Sequence, residues 1–172
     1  EHILAASLES GDRKQLTIER FSLGALMEEL QQGVELRSEK PIRLSIDSPE
    51  ELYIKADRFH LSNILSTIID NSIKYSAESV NITLRAYHSG KAYVIEIEDD
   101  GLGMEQKHLK HIFEKFYRIP KGNVQDVRGF GLGLYYSKII VERHGGTINA
   151  TSRKGEGTKI RITLPDDERE EN

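Results

Sequence analysis

The chain has 172 residues, of which 37% are hydrophobic, and this is enough for one domain with a buried core. Its net charge of -4 at pH 7 gives no electrostatic argument for binding nucleic acid directly. The sequence contains no cysteine, which excludes disulfide bonds and thiolate metal sites, and no apolar run approaches the roughly 20 residues of a membrane-spanning helix.

The first residues have the pattern of the end of an amphipathic helix. In the segment EHILAASLESG, Ile3, Leu4 and Leu8 share one face, and Gly11 is a stop signal. We therefore expect the chain to begin inside a helix, as a fragment of a longer protein would.

Strand and helix patterns then follow one another along the N-terminal half. Alternation predicts a strand over Leu16–Phe21, and Ser22 is the expected N-cap of the helix that follows. Two further strand patterns cover Ile42–Ile46 and Leu52–Ile54. The apolar face of the first helix is expected to carry Leu23, Leu26, Met27 and Leu30.

The clearest amphipathic helix begins after Asp57, its expected N-cap, and buries Leu61, Ile64, Leu65, Ile68, Ile69 and Ile73. Residues three and four apart share a face, so the opposite face carries Thr67, Asn71, Lys74 and Tyr75. The amide oxygen of Asn71 suits Mg²⁺, which prefers oxygen ligands and often takes the rest from substrate phosphates and water. The alternative is that these four are ordinary solvent-facing residues.

A β-hairpin is predicted from two alternating segments, Val80–Tyr87 and Ala92–Asp99, that a Ser-Gly pair separates. Because side chains alternate across a strand, Asp99 continues the apolar row of the second segment, whereas Asp100 belongs to the solvated row. A carboxylate that points inward needs a hydrogen-bond donor.

The run Asp99-x-Gly101-x-Gly103 fits recognition of a flat base. The exocyclic amino group of adenine would supply the donor that Asp99 needs, and the two glycines would let the backbone approach the base closely. The alternative is a turn carboxylate that backbone amides satisfy, since Asp-Gly is a common turn pair.

The rest of the chain has one further long helix pattern. A short helix is expected near Glu105–Phe113, followed by an irregular stretch around Pro120 and a helix over Leu132–His144 that a glycine pair ends. A closing hairpin is predicted from Thr147–Ser152 and Thr158–Leu164, and the acidic tail DDEREEN is expected to be mobile.

The glycine run GFGLG, residues 129–133, leads directly into that long helix, where free N–H groups and the helix dipole favour phosphate. The run matches neither the dinucleotide-binding fingerprint nor the P-loop, so it is a weak signal by itself. Several cations precede it, and they suggest a mobile lid over a nucleotide; the alternative is an ordinary charged loop. They are Lys115, Arg118, Lys121 and Arg128.

Other kinds of catalytic site find no support in the sequence. His108 and His111 share a helix face, but no suitable third zinc ligand is near. His144 precedes the glycine pair and is expected to serve the helix end, where a cation is favourable. No catalytic triad or nucleophile elbow is present.

In this order and spacing, the segments resemble the catalytic ATP-binding domain of sensor histidine kinases, in the GHKL family shared with gyrase, Hsp90 and MutL. IIDNSIKYS resembles the N box, Asp99 to Gly103 the first glycine box, FEKFYR the F box, GFGLGLYYSKIIVERHGG the second glycine box and GEGTKIRITLP the closing glycine segment. The resemblance covers roughly residues 17 to 165. It implies an α/β fold, the two-layer α/β sandwich called the Bergerat fold, with a mixed sheet of about five strands, helices on one face and a flexible ATP lid.

The resemblance also implies ATP and Mg²⁺ as ligands. Asn71 would bind Mg²⁺, Thr67 would reach the metal through a bound water, and Asp99 would read adenine. The residues implied in contact with ATP are Asn71, Lys74, Tyr75, Asp99, Gly101, Gly103, Arg118, Gly129, Gly131, Leu132, Gly133 and Thr158.

The chain departs from the family pattern at two places. Many kinases of the family carry a second Asn where this chain has Thr67, and the gyrase and Hsp90 branch carries a Glu there that activates water. Thr67 cannot be that general base, so efficient hydrolysis is not expected. The phosphoacceptor histidine of the family follows a His-Glu-x-Arg-Thr-Pro-like pattern, which His2 lacks, so no catalytic residue is assigned and the acceptor is expected outside this chain.

The resemblance implies three parts: the end of a dimerisation and phosphoacceptor helix with a linker in residues 1–14, the catalytic domain in 15–165 and an acidic tail in 166–172. The expected enzyme is a protein-histidine kinase that transfers the γ-phosphate of ATP to its own dimerisation domain, for relay to the receiver domain of a response regulator. The parent is expected to be a homodimeric sensor in the cell or inner membrane, with this domain cytoplasmic. The alternatives are a GHKL ATPase and a transfer-inactive scaffold domain.

Overall fold

The computed structural model describes residues 15–35, 40–120 and 129–166. The predicted helix end in 1–14, two of the predicted lid cations, Lys121 and Arg128, and the tail beyond Asp166 lie outside the described residues. Within the described part of the chain, no helix is long and apolar enough to cross a membrane.

The described elements alternate between strands and helices much as the periodicity predicts. In chain order they are β1 (Glu19–Ser22), α1 (Leu23–Glu35), β2 (Ile42–Asp47), β3 (Tyr53–Ala56), α2 (Arg58–Lys74), β4 (Val80–Ser89), β5 (Ala92–Asp99), α3 (Gln106–Leu109), α4 (Gly133–Arg143), β6 (Thr147–Arg153) and β7 (Gly157–Pro165).

A mixed sheet of five strands organises the domain, in the order β2-β4-β5-β7-β6. Strands β2 and β4 run parallel, and the other neighbouring pairs are antiparallel. Strands β1 and β3 form a separate antiparallel pair. The predicted α/β fold with a mixed sheet is confirmed.

The two faces of this sheet differ in chemistry. Ile95 and Ile97 of β5 are buried in the core that the sheet shares with the helices. On the other face, Glu98 Oε2 lies 3.0 Å from Lys159 Nζ and 3.1 Å from Arg85 Nη1. The hydrogen bond from Lys159, supported by Arg85, holds the pKa of the Glu98 carboxyl below its usual range. The helices therefore cover one face, and the other carries charged side chains toward solvent.

The short helix predicted near Glu105–Phe113 is shorter in the structure, where only Gln106–Leu109 is α-helical. The backbone then continues in tighter turns, with His111 N donating to His108 O at 2.9 Å. This segment leads to Phe116, whose φ of 66° is incompatible with a continuing helix. Local hydrophobic spacing could not predict that the chain must turn here.

Both predicted helix caps are present. Ser22 Oγ accepts a hydrogen bond from Ala25 N at 3.2 Å, and Asp57 Oδ1 accepts one from His60 N at 3.0 Å. Each cap satisfies an N–H group that has no partner inside its own helix.

Asp57 does more than cap α2, because it also joins the start of the chain's described part to α4. The Asp57 side chain is buried, and its Oδ2 accepts from Thr17 N at 2.9 Å. The Asp57 N–H donates to His144 Nε2 at 3.0 Å, while His144 Nδ1 lies 2.8 Å from Ile140 O. His144 lies at the end of α4, as expected, and these partners place the acceptor on its Nε2 and the proton on its Nδ1.

Replacing Asp57 with alanine is expected to lower the free energy of unfolding by about 2–4 kcal/mol at pH 7, because two N–H groups lose their acceptor: that of His60, which Asp57 caps, and that of Thr17. Burial alone would raise the pKa of the Asp57 carboxyl, but hydrogen bonds from His60 and Thr17 hold it below its usual range. The wild-type advantage should therefore exist at neutral pH and shrink as the pH falls through that lowered pKa.

Urea denaturation at several pH values measures this difference. The control is Asp47→Ala, which removes an exposed carboxylate 3.3 Å from Arg85 Nε and should cost at most about 1 kcal/mol. Equal losses for the two variants would contradict the role assigned to Asp57.

Candidate functional site

A cavity of about 580 Å³ lies between α2, the segment that follows β5 and the start of α4. Most residues that the sequence analysis assigned to a nucleotide site line this cavity: Thr67, Asn71, Lys74, Tyr75, Asp99, Gly103, Arg118, Gly129, Gly131, Gly133 and Thr158. Two other residues assigned to the site, Gly101 and Leu132, do not line the cavity.

Helix α2 supplies one wall because it is amphipathic. Its buried face, which includes Leu65 and Ile69, packs in the core and turns Thr67 and Asn71 toward the cavity. Lys74 also lines the cavity, and its Nζ lies 5.4 Å from the ring centre of Tyr75. This wall therefore presents one amide and one cation from a rigid element.

The arrangement around Asn71 suits a magnesium ion. In the described part of the chain no hydrogen bond engages the Asn71 side chain, so its amide oxygen is available to a ligand. No group of three or more His, Asp or Glu side chains that could hold a metal is found among the described residues. A metal here would take its other ligands from phosphates and water, as Mg²⁺ commonly does.

Asp99 faces the cavity from the end of β5 and is held by three donors. Its Oδ1 accepts from Gly101 N at 2.9 Å and Thr158 N at 3.2 Å, and its Oδ2 accepts from Ser72 Oγ at 2.6 Å. The expectation that this carboxylate lacks a protein donor is wrong. A carboxylate has about four lone-pair sites, so one site on Oδ2 remains for a ligand N–H group.

Sequence reasoning missed Ser72, which is buried on α2 and lines the cavity. A buried hydroxyl needs a partner, and Asp99 is that partner. The signal was a serine within an otherwise apolar helix face, but its partner could not be read from spacing in the chain.

Asp100 behaves differently from its neighbour, as strand alternation predicts. Its side chain is exposed and accepts from Asn81 N at 2.8 Å and from Asn81 Nδ2 at 2.6 Å. These hydrogen bonds hold the pKa of the Asp100 carboxyl below its usual range. Asp100 therefore fastens β5 to β4 outside the cavity.

Packing within the protein requires glycine at positions 101 and 103, whether or not a ligand is bound. A Cβ on Gly103, whose φ is 60°, would lie 2.0 Å from Arg153 O. A Cβ on Gly101 would lie 2.9 Å from Tyr75 O. The loop is thus packed tightly between the end of α2 and the turn after β6. The sequence analysis explained these glycines only by the close approach of a base and did not predict this packing.

The second glycine run places the N-terminus of α4 at the cavity. Gly131 has a φ of 70°, and a Cβ there would lie 2.7 Å from Phe116 C. Phe116 N donates to Gly131 O at 3.0 Å, which joins the two ends of the segment between them. A Cβ on Gly133 would lie 2.7 Å from Thr67 Cγ2, so glycine lets α4 approach α2 closely. The first N–H groups of α4 and its dipole favour an anion at this end of the cavity.

The aromatic pair and the neighbouring cations divide between core and surface. Phe113 packs against the core, whereas Phe116 is 61% exposed. Arg118 lines the cavity, so one predicted lid cation reaches the site. The wall also includes residues that were not assigned from sequence, among them His108, whose Nδ1 lies 2.7 Å from the hydroxyl of Tyr117, and Tyr117 itself.

Known proteins resemble this chain in sequence and in fold. Residues 56–168 match the family model described as Histidine kinase-, DNA gyrase B-, and HSP90-like ATPase. The chain is 42% identical to the sensor protein RprX of Bacteroides fragilis over 114 residues, which cover 65% of this chain and 22% of RprX. It is 34% identical to the sensor histidine kinase WalK of Bacillus subtilis over 140 residues, which cover 80% of this chain and 23% of WalK. The chain thus spans less than a quarter of the length of these two relatives.

A solved structure shows the same fold. The nucleotide-free catalytic domain of the histidine kinase ThkA superposes with a TM-score of 0.76 and 21% sequence identity, covering 88% of this chain and 97% of that domain.

Proposed function

Since the chain belongs to the family of histidine kinase-, DNA gyrase B- and HSP90-like ATPases, we propose that it binds Mg-ATP as the catalytic domain of a sensor histidine kinase. Its γ-phosphate would pass to a histidine outside this chain. One observation carries the proposal: Asn71, Asp99 and the N-terminus of α4 face a single cavity from three different elements.

In this proposal the two ends of the cavity bind different parts of the nucleotide. The open lone-pair site on Asp99 Oδ2 accepts a hydrogen from the adenine amino group, and Ser72 holds the carboxylate in position. At the other end, Lys74, Arg118 and the N-terminus of α4 attract the phosphates. Asn71 holds Mg²⁺, which neutralises phosphate charge when it is bound.

The same cavity is poorly equipped to activate water. Thr67 stands where the ATPase branch is expected to place a glutamate, and its methyl group packs close to Gly133. Apart from Asp99, the wall has one carboxylate among the described residues, Glu105, and it is paired with Lys107 at 2.8 Å and Lys154 at 3.5 Å. Transfer needs chiefly positioning and charge neutralisation, which this site offers, so we favour transfer over hydrolysis.

The parent protein would contain this domain and others. Residues 15–165 would be the catalytic domain, residues 1–14 would end a dimerisation and phosphoacceptor helix, and residues 166–172 would form a tail. The partners would be that dimerisation domain and the receiver domain of a response regulator. The two relatives are named as a sensor protein and a sensor histidine kinase, which supports a sensor as the parent. In this proposal the parent is a homodimer in the cell or inner membrane, and this domain lies in the cytoplasm.

Isothermal titration of the chain with Mg-ADP and with a non-hydrolysable ATP analogue tests the proposed function. We expect saturable heat that increases when Mg²⁺ is present. No heat with or without Mg²⁺ would contradict the proposal and favour a scaffold domain. Steady release of phosphate from ATP by the chain alone would instead favour the ATPase alternative.

A further inference from the structure

One cation outside the cavity is bound to the helix that carries Asn71. Lys40 lies just before β2, and its Nζ donates to Ile73 O and Ala77 O, each at 2.9 Å. It also lies 3.1 Å from Ser76 Oγ and 3.3 Å from Ser76 O. An ammonium group has three hydrogens, so the turn that ends α2 can engage all of them.

This contact satisfies groups that a helix cannot satisfy itself. The last carbonyls of a helix have no intrahelical donor, and a positive charge there is favourable to the helix dipole. Ser76 Oγ adds a second donor to Ile73 O at 2.7 Å. Lys40 therefore fixes the backbone of residues 73–77 from a segment that is remote in sequence.

The turn that Lys40 holds is shared by two walls of the cavity. Tyr75 N donates to Asn71 O at 2.9 Å, so the turn continues directly from the residue proposed to bind the metal. Tyr75 O accepts from Leu102 N at 2.9 Å, which fastens the loop after Asp99 to the same turn. A shift of the turn would therefore change the position of Asn71 relative to Asp99.

Lys74, the other cation of this turn, is not a substitute for Lys40. It faces the cavity and lies over the ring of Tyr75, whereas Lys40 is absent from the described cavity wall. Lys74 is thus placed to touch a ligand, and Lys40 is placed to touch the backbone that carries Lys74.

We propose that Lys40 is a positioning residue for the nucleotide site, which it serves by holding the last turn of α2 against the loop that follows Asp99. This inference rests on the proposed function, since it concerns the same nucleotide. A cap that only added stability would leave the nucleotide affinity of the folded protein unchanged, whereas the loss of a positioning residue lowers that affinity.

The experiment compares Lys40→Met with Ser22→Ala, which removes the cap of α1 and should cost stability without touching the cavity. Titration with Mg-ADP is done at a temperature where both variants are folded. Lys40→Met should bind about tenfold more weakly than wild type, and Ser22→Ala should bind as wild type does. Hydrogen exchange should become faster in Lys40→Met at the amides of Tyr75 and Leu102.

Each outcome decides the inference. Unchanged affinity in Lys40→Met would overturn it whether or not exchange changes, as would unchanged exchange at Tyr75 and Leu102, or equal losses of affinity in Lys40→Met and Ser22→Ala. If wild type binds no Mg-ADP, the proposed function fails, and exchange at Tyr75 and Leu102 still shows whether Lys40 holds the turn. Should Lys40→Met not fold, Ser76→Ala removes one of its contacts and should change affinity and exchange in the same direction by less.

Discussion

Replacing Asp99 with asparagine is expected to weaken Mg-ADP binding by about 10- to 100-fold, the loss that follows from removing a hydrogen bond to a charged group. The variant should remain folded. Its amide oxygen can still accept from Gly101 N and Thr158 N, and its NH₂ group can donate to Ser72 Oγ in place of the present bond. What it cannot do is accept a hydrogen from an adenine amino group at that position.

Asp100→Asn is the matched control, since it makes the same chemical change one residue further along the chain. Asp100 is exposed and bonds only Asn81 among the described residues, so we expect nucleotide affinity within about twofold of wild type. Equal weakening by the two variants would contradict the assignment of Asp99 to the base.

Titration with Mg-GDP adds a second readout. Guanine carries a carbonyl where adenine carries its amino group, and the asparagine NH₂ could donate to it. The preference for ADP over GDP should therefore fall in Asp99→Asn and stay unchanged in Asp100→Asn.

Much of the site follows from patterns within single elements. Helical spacing in α2 separates the buried Leu65 and Ile69 from the cavity-facing Thr67 and Asn71. Strand alternation in β5 predicts that the carboxylate of Asp99 faces the cavity and that the carboxylate of Asp100 does not. Such predictions succeed because each of these elements buries one face in the core, so the direction of its opposite face is fixed as well.

Contacts between elements could not be predicted in this way. The donors to Asp99 come from α2, from the loop after β5 and from β7, and their meeting depends on the complete fold. The same is true of Lys40, which reaches the end of α2 from a position 33 residues before Ile73. A glycine pattern likewise predicts freedom of the backbone, but the neighbour that requires it, such as Arg153 O beside Gly103, appears only in three dimensions.

Asn71→Ala is expected to remove most of the dependence of ADP binding on Mg²⁺. Wild type should bind ADP more tightly when Mg²⁺ is present, because the metal joins the phosphates to the Asn71 oxygen. The variant should bind metal-free ADP within about threefold of wild type, since base recognition and the cationic contacts to the phosphates are retained. Titrations with ADP in the presence of Mg²⁺ and in the presence of a chelator give both affinities for each protein.

Asn81→Ala provides the matched control for this prediction, because Asn81 bonds Asp100 outside the cavity and its loss should leave the response to Mg²⁺ intact. Asn71→Asp sharpens the test. A carboxylate restores an oxygen ligand but repels the phosphates, so the variant should bind metal-free ADP more weakly than Asn71→Ala and recover part of the response to Mg²⁺. If Asn71→Ala keeps the full response, the metal has its protein ligand elsewhere, and the wall of α2 binds phosphate and sugar only.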